Sequence, residues 1–270
     1  MDKPMPVAQN KISVNPCKTG AAFPHGKEKN RGQSFLNVCL AVVMTLFCGC
    51  AALAVYSQVA DLHSVREETA ALQEPEIMRI ANTPSVPKAE ATPQPYISEF
   101  DADMRKINED YVCWLKIDGT DISYPVVRGD NNDDYLGLSF YGEDNYFGSI
   151  FMDCRCAGDN VPNIIIFGHN SRQGDMFGSL RNFLDNEYYE QHPVITLIVN
   201  DRAVEYEVFS VRKTNINDPA YFLDFSNPDA FCGFLDRCGA PPDAAQILTL
   251  STCVSGVDKN ERVIVQAVLM

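Results

Sequence analysis

The chain has 270 residues, of which 46% are hydrophobic and 21% are charged, a composition typical of a globular protein rather than a disordered one. Its formal net charge of −14 argues against a nucleic-acid-binding protein, because neutralising phosphates requires clustered Lys and Arg that this chain mostly lacks. We therefore expect no nucleic-acid partner.

Charge is unevenly distributed along the chain. Residues 1–31 contain six basic and two acidic residues, a local charge of +4 that leaves −18 for the remainder. Between Arg31 and Asp61 no charged residue occurs, and residues 35–57 are about as long as a helix needs to cross ~30 Å of hydrocarbon. This run predicts a transmembrane signal anchor.

The alternatives for this run are a buried core helix and a cleaved signal peptide. A core helix rarely stays free of charge for so long between a basic and an acidic flank. A signal peptide has a shorter apolar run of about 7–15 residues, and the candidate cleavage site at residues 51–54 lies inside this run instead of after it. The positive-inside rule then predicts that the basic tail, residues 1–34, is cytoplasmic and that the larger C-terminal part is extracellular.

Two segments separate the predicted span from the main domain. Residues 61–80 have no proline before Pro75 and predict a short helix. Residues 81–95 contain four prolines among Ala, Thr and Ser, which predicts a semi-extended spacer. We assign residues 58–95 to a juxtamembrane helix and linker, and residues 96–270 to one extracellular domain of ordinary size.

Residues 96–270 are predicted to be mainly β. A helix over residues 97–110 comes first, because Phe100, Met104 and Ile107 recur at helical spacing. Strands outnumber helices after it, and closing them into a barrel removes exposed edges, which favours a β-barrel with peripheral helices over an alternating βαβ sheet. The eight predicted strands are 114–117, 122–127, 149–152, 163–167, 194–199, 204–211, 247–252 and 263–269, and the further helices are 175–182, 185–190 and 228–238, the last with Asn227 as its N-cap and Gly239 just past its end.

The ten cysteines raise the question of disulfides and metal sites. Four lie in the tail or the span, and the spacing of the other six lacks the regularity of a small disulfide scaffold. Cys154 and Cys156 are a weak zinc signal, because no second Cys or His pair lies at a suitable spacing. We predict no metal site and no cofactor, and we expect these thiols to be buried or adventitious.

Three residues near strand ends could form a reactive site. Cys253 ends an apolar run, and Arg262 begins the next one, so the two are neighbours if the strands pair as an antiparallel hairpin. His169 follows another apolar run, where Gly168 allows a sharp exit from the barrel rim. A nearby imidazolium or guanidinium lowers a thiol pKa from about 8.5 and so favours the nucleophilic thiolate.

Each of these residues also has a structural interpretation when it is taken singly. A Cys on an apolar strand is more often an inert core residue, His169 could cap a turn, and Arg262 could pair with a neighbouring acidic residue such as Glu261. His192, which precedes Pro193 at the start of a strand, is the reserve candidate for a catalytic histidine.

Several motifs in order resemble class B sortases. Thr249-Leu250-Ser251-Thr252-Cys253, followed by Arg262 at the start of the last strand, is similar to the active-site signature of that family. The resemblance covers nearly all of residues 96–270. It departs from the family where Cys113 replaces a frequent Gly before the Trp, and in the loop from Cys253 to Arg262, which is short and holds a Gly. The other similar motifs are Asn108 to Ile117, Tyr124-Pro125-Val126-Val127, Tyr135-Leu136, Ile150-Phe151-Met152-Asp153, Phe167-Gly168-His169-Asn170 and Met176-Phe177-Gly178-Ser179-Leu180.

The resemblance implies a closed eight-stranded β-barrel with peripheral helices and a membrane-anchored cysteine transpeptidase. Cys253 would attack the Thr carbonyl of a C-terminal sorting signal, His169 would move the protons of the leaving and incoming amines, and Arg262 would hold the oxyanion or the substrate backbone. Ser251 and Thr252 would contribute to the substrate groove. The implied partners are surface proteins or pilins that carry a sorting signal, and an amine acceptor such as a peptidoglycan precursor or a pilin lysine, in a Gram-positive-type envelope.

Two alternatives remain open at this stage. The first is a membrane-anchored cysteine peptidase, in which water resolves the acyl-enzyme. The second is a non-catalytic, membrane-tethered binding module whose cysteines are structural. An added amine that diverts the product from free acid to ligated peptide distinguishes the transpeptidase from the peptidase. Within the sortase interpretation, cell-wall anchoring and pilus assembly use the same three residues, so the residues do not distinguish these two roles.

Overall fold

The computed structural model describes residues 31–72, 97–158, 161–227, 229–253 and 260–270. Helix α1 (Arg31–Leu72) is continuous, so the predicted membrane helix and the first part of the predicted juxtamembrane helix are one element. Its part Leu36–Leu72 is long and apolar enough to cross a membrane, judged by length and composition. The predicted spacer, residues 81–95, lies outside the described residues.

Two compact units divide the chain, Met1–Ala52 and Leu53–Met270. In the first unit the described side chains of α1 are exposed, as suits apolar residues that contact lipid. In the second unit the end of α1 has a buried face that joins the core of the barrel domain. The domain boundaries at 34, 57 and 95 stay predictions.

Eight β-strands occur in the part of the chain that the structure describes. They are β1 (Tyr111–Lys116), β2 (Ser123–Val127), β3 (Ile150–Met152), β4 (Asn163–His169), β5 (Val194–Val199), β6 (Arg202–Asn215), β7 (Ile247–Cys253) and β8 (Glu261–Leu269). They close into a barrel in the order β1-β2-β3-β4-β7-β8-β6-β5. The predicted eight-stranded barrel is therefore confirmed, and closure pairs both edges of every strand.

Strand pairing is antiparallel around the barrel except at β2–β3 and β4–β7, which are parallel. The inward-facing residues of β7 and β8, such as Leu248, Leu250 and Val265, belong to the main core. Trp114 is fully buried, and its indole Nε1 donates to Ser123 Oγ at 3.0 Å, so burial leaves no unpaired donor on the ring.

The α-helices predicted at 97–110 and 228–238 are shorter in the structure, whereas the helix predicted at 185–190 keeps its length and is shifted by one residue. They are α2 (Glu99–Ile107), α3 (Asn186–Gln191) and α4 (Ala230–Cys238), with 3₁₀ helices at Asp134–Leu136, Gly178–Leu184 and Pro219–Tyr221. The short helix predicted at 175–182 is a 3₁₀ helix that begins three residues later, because that stretch starts as a loop.

Helix α4 ends as predicted but begins later. Gly239 has the left-handed φ of 68° that terminates a helix. The predicted N-cap at Asn227 is wrong, because the helix begins at Ala230 with Asp229 as its N-cap. Asn227 instead accepts a hydrogen bond from the Asp229 backbone N–H at 3.0 Å, so its side chain forms a turn ahead of the helix.

Three of the six cysteines that follow the apolar run are buried free thiols. Cys113, Cys156 and Cys238 are buried and free, and burial raises the pKa of each thiol, that of Cys156 to about 11. A thiol with a raised pKa is a poor nucleophile at neutral pH. Cys232 is free and exposed on α4.

Asp101 is a fully buried carboxyl in α2. One oxygen, Oδ2, accepts from the Asn200 backbone N–H at 3.0 Å, whereas Oδ1 has no hydrogen-bond partner among the described residues. Burial raises the pKa of Asp101, because the charged form loses more hydration than these contacts restore.

Asp101→Asn should therefore remove the loss of folding stability that arises when the buried carboxyl of Asp101 ionises at higher pH. Because the folded-state pKa is raised, the contribution of Asp101 to stability is present below about pH 4 and is lost as pH rises through the folded pKa. We expect wild-type stability relative to Asp101→Asn to fall by about 1 kcal/mol between pH 4 and pH 8, measured by thermal unfolding of the full chain in detergent. Asp103→Asn, which changes an exposed carboxyl of the same helix, is the control.

Candidate functional site

The parallel pairing of β4 with β7 brings the predicted histidine and cysteine together. Its register runs from Asn163↔Ile247 to His169↔Cys253, so the two residues occupy paired positions at the ends of neighbouring strands. Neighbouring strands lie about 4.8 Å apart. His169 belongs to β4 itself, whereas the sequence placed it just beyond the strand.

The predicted hairpin of β7 and β8 is present and extends this register. Pairing runs from Ile247↔Val268 to Ser251↔Ile264, and the Val263 backbone N–H donates to Thr252 Oγ1 at 3.0 Å. Counting on by two residues sets position 253 opposite Arg262. The backbone thus brings positions 169, 253 and 262 to the same end of three adjacent strands. The predicted loop between them falls largely on residues 254–259, which lie outside the described residues.

The strand positions next to this end form a layer that the sequence did not reveal. Phe167 and Ser251 are paired across β4 and β7. Tyr221 stacks on Phe167 with ring centroids 6.3 Å apart, and its hydroxyl lies 2.8 Å from Ser251 Oγ. The Pro219–Tyr221 turn therefore covers the outer face of the sheet beside positions 169 and 253.

A buried polar cluster anchors this covering turn. Asn163 Nδ2 donates to the carbonyls of Ala220 and Phe222 at 2.8 and 3.1 Å, and Asn163 Oδ1 accepts from Thr249 Oγ1 at 3.1 Å. Gln266 in turn donates to Thr249 Oγ1 at 3.2 Å. A sequence signal for this layer was available in the polar residues that lie two positions apart within apolar strands. Such side chains need hydrogen-bond partners when another element covers that face of the strand.

An ion pair fixes the start of the same turn. Arg212 Nη2 and Nε bind Asp218 at 2.6 and 3.1 Å, and Asp218 also caps the turn by accepting from the Ala220 N–H at 2.8 Å. Burial by itself would raise the pKa of Asp218, but hydrogen bonds from Arg212 and Thr214 outweigh it and lower that pKa. Asp218 therefore stays ionised and keeps the turn attached to β6.

His169 is mostly buried, and its ring orientation is fixed. Nε2 lies 2.8 Å from the Leu136 carbonyl oxygen. A carbonyl only accepts, so Nε2 must carry a hydrogen, and in the neutral ring Nδ1 is the nitrogen that can take a proton. Burial lowers the pKa of His169, although the bond to Leu136 opposes this effect. The ring is accordingly neutral at pH 7.

Arg262 contacts the backbone at the start of β8. Arg262 is partly exposed, and its Nη1 donates to the Glu261 carbonyl oxygen at 2.9 Å. The Glu261 carboxylate lies 3.9 Å from Lys213 Nζ on β6. The Arg262 guanidinium thus has a backbone anchor at the end of the barrel where positions 169 and 253 lie.

The reserve candidate His192 has a structural role. It is the C-cap residue of α3, its ring centroid lies 4.5 Å from that of Tyr188, and its Nδ1 lies 2.9 Å from the Asp118 carbonyl oxygen. These contacts join α3 to the turn between β1 and β2.

Two clefts lie next to the site. One, of about 610 Å³, contains His169 and is lined by residues 55–62 of α1, by Tyr146 and Phe147, and by residues 169–173. The other, of about 580 Å³, lies over the Pro219–Tyr221 turn and the start of α4. Within the described residues, no group of three or more His, Cys, Asp or Glu could hold a metal ion.

Comparison with known proteins identifies similar chains. The Sortase domain family matches residues 115–270. Sortase B of Staphylococcus aureus is 35% identical over 172 residues, covering 60% of this chain and 70% of that protein. Sortase B of Listeria monocytogenes is 32% identical over 181 residues, covering 62% and 73%. The structure of a Staphylococcus aureus sortase B–substrate complex superposes with a TM-score of 0.66 at 30% identity, covering 78% of this chain and 98% of that one.

Gly168→Ala tests how closely the residue before His169 is packed. An added Cβ would overlap Ile150 Cδ1 and would lie 2.7 Å from Phe177 Cγ, an atom of a fully buried ring. We expect a loss of about 1–3 kcal/mol in thermal unfolding, because overpacking forces neighbouring groups to shift. Gly233→Ala in α4 meets only Arg237 Nη1, at 3.4 Å, and should be neutral or stabilising. Equal effects of the two substitutions would contradict this packing.

Titration of His169 tests its burial. We expect its ring to titrate below about 6.5, the ordinary value, in NMR spectra of the ¹³C-histidine-labelled full chain, assigned with His169→Gln. Since the folded-state pKa is lowered, the contribution of His169 to stability is present above about pH 6.5 and is lost as pH falls. Wild type should then lose stability relative to His169→Gln between pH 7 and pH 5. A midpoint at or above the ordinary value would contradict the assignment.

Proposed function

The chain belongs to the sortase family and to its class B, and on this premise we propose that it joins sorting-signal-bearing proteins to an amine acceptor through Cys253, His169 and Arg262. The observation that carries the proposal is the strand register. It sets position 253 beside His169 on β4 and, counted onward, opposite Arg262 on β8. A nucleophile, a base and a fixed cation are the three parts that acyl transfer requires.

In the first half-reaction Cys253 attacks the Thr carbonyl carbon of a sorting signal. The thiol proton passes to Nδ1 of His169, and the C–S bond forms as the carbonyl oxygen becomes an oxyanion. The imidazolium then gives its proton to the leaving amine as the C–N bond breaks. The products are a thioester on Cys253 and a released C-terminal peptide. A neutral His169 suits this order, because it must accept a proton before it can donate one.

In the second half-reaction an amine attacks the thioester. His169 takes the proton from the amine nitrogen, the C–N bond forms, the C–S bond breaks, and the thiolate recovers its proton from the imidazolium. Arg262 stabilises the oxyanion in both halves, because a guanidinium keeps its charge and offers several donors without changing its protonation state. Its anchor on the Glu261 carbonyl supports this role by limiting the freedom of the side chain.

Ser251 and Thr252 belong to the proposed substrate groove as residues of its floor. Their side chains are buried, and their hydroxyls already contact Tyr221 and the backbone of Val263. They would therefore act on a bound peptide mainly through Tyr221 and the position of β7. The cleft over the Pro219–Tyr221 turn is the corresponding place for the sorting signal.

The proposed location is the cell membrane of a Gram-positive-type envelope. The basic tail would stay in the cytoplasm, α1 would span the bilayer, and the barrel domain would be extracellular, in agreement with the charge asymmetry around the apolar run. The proposed acceptor is a peptidoglycan precursor or a pilin lysine. In both cases a primary amine is the attacking group.

Cys253→Ala should abolish this activity. We expect the full chain in detergent to cleave at least one peptide of a fluorescent sorting-signal panel after Thr and to form a thioester that intact-mass spectrometry detects on Cys253. The substitution should reduce turnover by about a thousandfold or more, because no other group replaces the nucleophile. Cys232→Ala, which removes the exposed thiol of α4, is the matched control and should retain wild-type turnover.

Triglycine in the same assay separates the alternatives. A ligated peptide that grows with triglycine concentration supports the transpeptidase, whereas free acid alone at every concentration supports the peptidase. If wild type and Cys253→Ala behave alike across the panel, the catalytic assignment is wrong and the binding-module alternative replaces it.

A further inference from the structure

The C-terminal part of α1, residues 53–72, is attached to the barrel domain at the loop that follows His169. We propose that Arg66 is a positioning residue, which holds the 170–176 loop through Asp175 and thereby holds His169. The inference rests on the proposed function, because it gives this helix a part in the acyl transfer that His169 assists.

Apolar contacts attach the helix to the domain. Its buried side chains recur at helical spacing and belong to the core clusters of the barrel domain; they are Leu62, Val65 and Leu72. Asp61 adds two polar contacts, as its carbonyl accepts from Asn145 Nδ2 at 3.2 Å and its carboxylate accepts from the Tyr146 N–H at 3.3 Å. Burial of these large apolar side chains attaches the helix to the domain without the help of an ion pair.

The ion pair between Arg66 and Asp175 orients a carboxylate, whereas the apolar contacts attach the helix. Arg66 Nε and Nη2 bind the two carboxylate oxygens at 2.7 and 2.9 Å. Arg66 is 55% exposed, and pairs so exposed contribute little to stability. Two parallel bonds nevertheless fix the direction of a carboxylate, because both oxygens are held in one plane. The pair therefore orients Asp175 more than it stabilises the fold.

Asp175 adjoins a strained residue that returns the loop to His169. Met176 has a left-handed φ of 55°, which is costly for a residue with a side chain and persists only where the surroundings hold it. Met176 pairs with Asn170 in a β-bridge, and the Phe177 N–H donates to the His169 carbonyl at 3.0 Å. The backbone of His169 is thus held by residues that directly follow Asp175.

The first half of the loop is held from the opposite side. Arg181 Nη2 donates to the carbonyls of Ser171 and Arg172, each at 3.1 Å. Gly178 approaches the Ser171 carbonyl so closely that a Cβ there would overlap it. The loop is therefore held at Arg181 on one side and at Arg66 on the other, and between them the N–H of the buried Met176 donates to the Tyr124 hydroxyl at 3.0 Å.

The cleft at His169 adds a second link to the helix. Residues 55–62 of α1 form one wall of this cleft, and residues 169–173 form another. A displaced loop would therefore move His169 and change the shape of the space next to it. Acyl transfer depends on such geometry much more steeply than binding of the donor peptide does.

Arg66→Gln, Asp175→Asn and the double variant test the proposal in the full chain in nanodiscs. We expect each single variant to lower kcat about tenfold while KM for the donor peptide stays within about twofold. The double variant should be no slower than the single ones, because the two residues act through one bond. Lys106→Gln, which removes a comparable surface ion pair on α2, is the control and should keep wild-type kcat.

The ¹³C resonances of the His169 ring give a second readout that needs no turnover. They should shift in Arg66→Gln and stay unchanged in Lys106→Gln. Unchanged resonances in Arg66→Gln, kcat within about twofold of wild type, or losses that multiply in the double variant would each overturn the proposal. If wild type turns over no peptide, the proposed function fails, and the resonances alone decide whether Arg66 positions His169.

Discussion

The parallel pairing of β4 with β7 is the constraint on which the site depends. These strands are about eighty residues apart in the chain, and only barrel closure makes them neighbours. A shift of one residue in their register would move His169 away from position 253 and would also turn every side chain of one strand to the other face. The apolar interior, where Leu248 and Leu250 are buried, penalises such a shift and so protects the chemistry at the strand ends.

Sequence patterns predicted the strands well where the apolar runs were uninterrupted. The run at β5 agreed at both ends, from Val194 to Val199, since all of it is buried or nearly so. Strand β6 was predicted at little more than half its length, because its flanks carry charged residues such as Arg202 and Lys213 on the exposed face. The alternation of apolar and polar residues that predicts a strand is weaker where one face of the strand is solvated and the other face makes polar contacts.

The sequence could predict which three residues of the site lie close together, but not the layer of residues that covers them. Cys253, His169 and Arg262 could be placed near one another because two of them flank a hairpin and all three end or begin apolar runs. The covering layer of Tyr221, Asn163 and Asp218 could not, because its members lie far apart in sequence and meet only after barrel closure. The chemical roles of Cys253, His169 and Arg262 stay predictions, whereas the strand register places their backbone positions at one end of the barrel.

The bond from Nε2 of His169 to the Leu136 carbonyl has a consequence for the order of events. In the proposed acyl transfer it leaves one ring nitrogen, Nδ1, to move every proton, because the ring cannot rotate without breaking that bond. The departing amine and the arriving amine would then use the same position in succession. The first product would have to leave the histidine before the second substrate could bind there, so the two amines would compete for one position.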